Sequence, residues 1–206
     1  LYPDSTFYGN NTVTANLLPL AFGMIDDDYV RGEVEKNIIS NIITLNGGHV
    51  SSGVIGVQWL MHALTDMGRS DIAWLLATNK SYPSWGYMAE KGATTTWELW
   101  NGDTANPRMN SGNHIMLLGD LVSWLYEDVA GIRADTDKPG FKHIIMKPDF
   151  SVDEMDGADA AYKSIYGDIV SRWKTAHGIL SWHVEIPANT TATVCLPDGT
   201  KKEIGS

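Results

Sequence analysis

Up to about residue 134 the apolar residues of this 206-residue chain recur at helical spacing, and beyond Gly140 they recur at every second position. A repeat near 3.6 and a repeat of 2 belong to different elements, so the chain must fold as helices followed by sheet. The turn-forming run Asp135-Thr136-Asp137-Lys138-Pro139-Gly140 marks the change. The expected class is α+β multidomain, with a helical part at 1–134 and an antiparallel β-sandwich, truncated at its end, at 135–206.

The helices differ in kind. Asn11 to Gly23 carries Val13, Leu17, Leu18, Leu20 and Phe22, and no charged residue occurs between Ser5 and Ile25. Pro19 predicts a kink there, because it lacks an N–H and crowds the preceding turn. Asp26-Asp27-Asp28 offers a cap and negative charge to a helix running to about Leu45, which sets Val30, Val34, Ile38 and Ile42 on one face and Arg31, Glu33, Glu35 and Lys36 on the other. Gly47-Gly48 ends it. An uncharged helix over about 53–65 and a charged-faced helix over 70–78 repeat the pair, and 113–129 reads as one further helix. Uncharged helices must be surrounded, whereas amphipathic ones keep a wet face. The alternation fits a double-layered α/α barrel or a superhelix of hairpins. A closed toroid needs more helices than these, so the expectation is part of a larger domain, cut at both ends.

After Gly140 strands are predicted at 141–146, 158–166, 168–175, 179–186 and 192–196, with a last one begun at 201–206. Gly167, His177-Gly178, Pro187-Ala188-Asn189 and Pro197-Asp198-Gly199 separate them, the turn spacing of a β-sandwich.

Composition narrows the chemistry. With 25 acidic and 15 basic residues the net charge is −10, which argues against nucleic acid and against an anionic membrane surface. The uncharged segment 53–65 is too short and too polar to span a bilayer. Leu1-Tyr2-Pro3-Asp4 has neither the basic nor the apolar region of a signal peptide. Cys195 is the single cysteine, expected as an inert buried thiol, and it leaves the redox compartment open. Cellular location is open too: periplasmic or secreted fits the parent protein, and cytoplasmic is not excluded. No H-x-x-x-H, C-x-x-C or acidic-loop spacing calls for a metal, no G-x-S-x-G holds a nucleophile, and no glycine-rich loop follows a strand, so no cofactor is expected.

One stretch carries chemistry. Ala93-Thr94-Thr95-Thr96-Trp97-Glu98-Leu99-Trp100 places a carboxylate between two indoles, and Trp85 stands close upstream in Tyr82-Pro83-Ser84-Trp85-Gly86-Tyr87. Indole faces stack on the C–H face of a sugar ring, and desolvation of a carboxyl favours proton transfer near neutral pH. Trp85, Trp97 and Trp100, read as loop residues, are candidate sugar platforms, whereas Trp59, on a helix, reads as core. The same string also fits an amphipathic turn with buried indoles and a solvated Glu98. His114, after Ser111-Gly112-Asn113, reads either as a helix-edge residue or as a donor to a sugar hydroxyl. Glu90, Asp103 and Asp120 are the nearby acids, and none has a matching aromatic setting. Three classes stay open: a glycosidase, a non-catalytic carbohydrate-binding module, and a helical scaffold.

The motifs resemble the α-L-rhamnosidases of glycoside hydrolase family 78. The likeness lies in Gly9-Asn10-Asn11-Thr12-Val13-Thr14-Ala15-Asn16, Tyr82 to Met88, Gly92 to Trp100, Met109-Asn110-Ser111-Gly112-Asn113-His114, Trp124-Leu125-Tyr126 and Val129-Ala130-Gly131-Ile132, in the family's order. It implies the C-terminal end of a catalytic (α/α)6 barrel followed by a β-sandwich. It also implies an inverting hydrolase that removes terminal α-L-rhamnose from glycosides or polysaccharides. Glu98 matches the general base, and His114 matches a residue that binds the rhamnose. The general acid belongs to an earlier barrel segment outside this chain, so the chain alone is expected to be inactive. Exposed barrel helices would then favour self-association. Leu99 stands where the family commonly has Arg, and Gly112 where an aromatic is usual. A different (α/α)6 glycosidase or a polysaccharide lyase is the nearest rival reading.

Overall fold

The computed structural model describes residues 6–205; residues 1–5, with the Leu1-Tyr2-Pro3-Asp4 start, and Ser206 lie outside the described residues. Two compact units divide between Leu121 and Val122.

The first unit is helical. The Thr12 side chain accepts the Ala15 N–H and opens α1 (Val13–Ala21), in which Pro19 does not end the helix. Asp27, as expected, caps α2 (Asp28–Ser40) by accepting the Val30 N–H. The helix widens to π turns over Asn41–Leu45. There the Asn41 amide donates to the Asn37 carbonyl and Asn46 to that of Asn41, satisfying acceptors that the wider winding frees. α3 (Leu60–Asp66), α4 (Ser70–Thr78) and α5 (Trp85–Glu90) follow. α1 packs against α2, α3 against α4, α1 against α3, and α4 against α5. Val13, Leu17, Leu60, Met61 and Leu64 are buried from the uncharged helices, and Val34, Ile38, Ile72 and Leu76 from the charged-faced ones. No helix among the described residues is long and apolar enough to cross a membrane.

Two expected helices are broken, and one contact explains both. In place of a helix over 53–65 there is a 3-10 turn at Gly56–Gln58, then Trp59, then α3. The buried Asp120 carboxylate accepts the N–H groups of Met61 and His62 at 3.0 Å and so fixes where α3 begins. In place of a helix over 113–129 there is a 3-10 turn at Ile115–Leu118, a break at Gly119, the short α6 (Leu121–Trp124) and π turns at Leu125–Val129. Gly119 has φ +64°, and a Cβ on it would lie 2.1 Å from the Val57 carbonyl oxygen. That oxygen accepts the Asp120 N–H at 2.9 Å. The two backbones therefore meet at 57 and 119–120, and neither passing segment can remain a straight helix.

The second unit is a sandwich of two sheets. β1 (Ile132–Ala134), β2 (His143–Met146), β6 (Thr191–Cys195) and β7 (Lys201–Gly205) form one, and β3 (Gly157–Ser164), β4 (Gly167–Ala176) and β5 (Ile179–Glu185) the other. The strands pair antiparallel, as expected, except β2 and β6, which run parallel, in register from His143↔Thr191 to Met146↔Val194. Parallel neighbours need a long crossover, and here the β3–β4–β5 meander supplies it. Ile132, Ile144, Met146, Ala192 and Val194 from the first sheet and Ile169 from the second form the core, with Trp182 and Val184 packed on it. Cys195 is only partly buried. Residues 122–131 share this unit because they bond to it. The Trp173 indole donates to the Val129 carbonyl at 2.8 Å, and the Ser171 hydroxyl to that of Ala130 at 2.6 Å.

Candidate active site

Two segments of the first unit, 95–99 and 110–114, face each other. Glu98 N–H donates to the Ser111 carbonyl at 2.9 Å, and His114 N–H to the Thr96 carbonyl at 2.7 Å. Two steps along one segment are matched by three along the other, so one residue is extra, as in a bulge. Polar side chains close the gap. The Ser111 hydroxyl donates to the Asn113 carbonyl at 3.1 Å, Thr95 to Asn113 Oδ1 at 3.3 Å, and Thr96 Oγ1 to the His114 carbonyl at 2.9 Å. Asn110 Oδ1 accepts the Leu99 N–H at 3.1 Å. The pairing brings Glu98 and His114 to one place although sixteen positions separate them.

Glu98 is half-buried, and its Oε2 accepts the Ser111 N–H at 2.9 Å. The Ser111 backbone thus bonds both the main chain and the side chain of Glu98. A carboxylate offers about four lone-pair sites, so this bond leaves acceptor capacity for a ligand or a water. His114 is half-buried as well.

The indoles named from the sequence differ in their settings. Trp97 is half-buried and lies against Gly102, where a Cβ would come within 2.6 Å of its ring. The half-buried Trp100 donates from Nε1 to the Ser52 carbonyl at 3.1 Å and meets Trp85 edge-on, with centroids 5.5 Å apart. Trp85 departs from expectation. It opens α5 instead of lying in a loop, because Ser84 accepts the Tyr87 N–H and so starts a helix. It is 8% exposed and donates its indole N–H to the Leu117 carbonyl at 2.9 Å, which leaves little ring face for a ligand. Leu117 N–H in turn bonds the His114 carbonyl at 3.0 Å, so Trp85 supports the site from beneath. Trp59, expected in the core, is 39% exposed with its ring edge-on to Phe22.

The remaining acids are engaged elsewhere. Glu90 pairs with Lys80 at 3.1 Å, and Asp120 accepts from Met61, His62 and the His62 imidazole. Asp103 accepts the Tyr87 hydroxyl at 2.8 Å, tying the loop after Trp100 to α5. That bond to a carboxylate holds the Tyr87 pKa above the ordinary tyrosine value. Thr96, Asn110 and Ser111 lie in the stretches that carry the family likeness, but the sequence assigns them no role of their own. A mostly apolar recess of about 300 Å³, lined by Trp85, Met88, Thr95, Thr96, Ile115 and Leu118 among others, adjoins the segments. A larger recess of about 590 Å³ lies on the β3–β4–β5 sheet. Its Arg172 is paired with Asp159 at 2.9 Å, and both are more than half exposed.

Known proteins repeat this layout. A family model described as the bacterial alpha-L-rhamnosidase 6 hairpin glycosidase domain matches residues 1–129, and one described as the bacterial alpha-L-rhamnosidase C-terminal domain matches 131–206. An alpha-L-rhamnosidase of Streptomyces avermitilis is 31% identical over 192 residues, 91% of this chain and 18% of that protein. One from Formosa agariphila is 30% identical over 200 residues, 94% of this chain and 20% of that protein. The chain therefore spans about a fifth of the length of the curated relatives it matches. The crystal structure of the Streptomyces avermitilis enzyme complexed with L-rhamnose superposes with a TM-score of 0.83 at 30% identity, covering 93% of this chain and 19% of that one. The native enzyme of Aspergillus terreus superposes with a TM-score of 0.87 at 30% identity, covering 98% and 24%.

Proposed function

The chain belongs to the bacterial alpha-L-rhamnosidase family, and from that premise we propose that it is the C-terminal part of a glycoside hydrolase that removes terminal α-L-rhamnose with inversion. In this reading residues 1–129 belong to the catalytic barrel and 131–206 form the domain that follows it; the boundary expected at 134 moves earlier because Ile132–Ala134 is a strand paired with β2. Glu98 is the general base. The bond from Ser111 N–H holds one carboxylate oxygen, and the other accepts a proton from the water that attacks the anomeric carbon. An inverting pair of carboxyls stands roughly 6.5–9.5 Å apart to admit that water. The second carboxyl, which protonates the leaving oxygen, comes from elsewhere in the protein, as the family resemblance implies. His114 hydrogen-bonds the rhamnose, and Trp97 and Trp100 border it. Trp85 acts behind Trp100 and not on the sugar itself.

The observation that carries the proposal is the pairing of 95–99 with 110–114, which joins the segment bearing Glu98 and the half-buried Trp97 to the segment bearing His114. The test uses an aryl α-L-rhamnoside. The intact protein carrying this chain hydrolyses it, and Glu98→Gln lowers kcat by about 10²–10⁴-fold while L-rhamnose still binds. Loss of binding with loss of rate would make Glu98 structural. The 206-residue chain alone does not turn over, and measurable hydrolysis by it would contradict the missing second carboxyl.

A further inference from the structure

Thr96 holds His114 by both of its backbone polar groups. The Thr96 carbonyl accepts the His114 N–H at 2.7 Å, and the Thr96 hydroxyl donates to the His114 carbonyl at 2.9 Å. The His114 carbonyl also accepts the Leu117 N–H at 3.0 Å, so the hydroxyl completes an acceptor where the chain turns from an extended segment into a 3-10 turn. His114 has φ −131° and ψ 75°, a conformation that neither a helix nor a regular strand would impose. Its geometry therefore depends on those bonds.

The opposite residue receives matching treatment. Ser111 accepts the Glu98 N–H and donates its own N–H to Glu98 Oε2, both at 2.9 Å. Each chemically committed residue is thus gripped by a hydroxyl-bearing neighbour of the other. The two grips differ in one useful respect: that on Glu98 is made by backbone, whereas that on His114 uses a side-chain hydroxyl and can be removed by mutation.

We propose that Thr96 is a positioning residue, whose hydroxyl sets His114 against Glu98 and thereby governs how tightly the site holds its sugar. The proposal rests on the reading of His114 as a rhamnose ligand. Valine replaces the hydroxyl by a methyl of similar volume, and serine keeps the hydroxyl while dropping the methyl. Loss of shape and loss of the bond therefore separate. Because His114 contacts the bound sugar in ground and transition states alike, its displacement weakens binding more than it slows the step at Glu98.

The experiment compares wild type, Thr96→Val and Thr96→Ser in the intact protein carrying this chain. Three measurements are made: L-rhamnose affinity by calorimetry, steady-state kinetics (kcat and KM) on an aryl α-L-rhamnoside, and hydrogen exchange of peptides covering 110–118. Thr96→Val is expected to speed exchange in those peptides, to weaken L-rhamnose binding and raise KM by about five- to tenfold, and to leave kcat within about twofold. Thr96→Ser is expected to return all three to within about twofold of wild type. Unchanged exchange and affinity in Thr96→Val would overturn the proposal, as would a serine variant no better than the valine one. If exchange quickens in Thr96→Val but wild type binds no L-rhamnose, the grip is real and the rhamnose reading fails, and this proposal fails with it.

Discussion

A glycine beside an indole shows how little freedom single residues have in this site. Gly102 lies under Trp97, and even a methyl group there would penetrate the ring plane's contact distance, at 2.6–2.7 Å from three indole carbons. Backbone strain is not the issue; the ring must move. Gly102→Ala is expected to swing Trp97 away, cutting kcat/KM on an aryl α-L-rhamnoside by about tenfold or more while the protein stays folded. Steady-state kinetics with a parallel thermal melt checks this, and unchanged kinetics would show that Trp97 lies outside the sugar's reach. The residue types were readable in the chain: Glu98, His114, Trp97 and Trp100 all stand out by chemistry or by family likeness. Their supports were not. Thr96, Ser111 and Asn110 act across intervals of eleven to eighteen residues, and such bonds leave no periodic trace.

Elements followed the sequence where local chemistry decides them, and departed where a distant group does. β4 and β5 fall within a residue of expectation because Gly167 and His177-Gly178 turn the chain on either side. α5 was unexpected, since Pro83, Gly86 and two tyrosines look like loop until Ser84 is recognised as a cap. The breaks near 59 and 119 trace to Asp120, whose carboxylate caps a helix about sixty positions away. Replacing it should release three donors at once. Asp120→Ala is expected to destabilise the helical unit by about 2–4 kcal/mol, read as a lower denaturation midpoint in urea. An effect under about 1 kcal/mol would mean that water substitutes freely for the carboxylate. The sandwich has its own counterpart in Ser171, fully buried, which donates to Ala130 and accepts from Trp182.

Taken whole, the chain carries more bare apolar surface than its charge suggests. Phe22, Met24, Leu45, Ile55, Ile115 and Met116, all in the helical unit, are more than half exposed. Scattered residues of this kind are ordinary, but this density on one unit favours association. A net charge of −10 opposes it through repulsion that salt screens. The isolated 206-residue chain is therefore expected to sediment as larger species as protein concentration rises, and more so at 0.5 M than at 0.05 M salt. A monomer at every concentration and both salts would refute this. The paired segments that hold Glu98 and His114 have a different bearing on how such a chain can vary. Both feet of the excursion between Leu99 and Asn110 are fastened, Leu99 to Asn110 and Glu98 to Ser111. Evolution can lengthen, shorten or redecorate that excursion while Glu98 and His114 keep their stations.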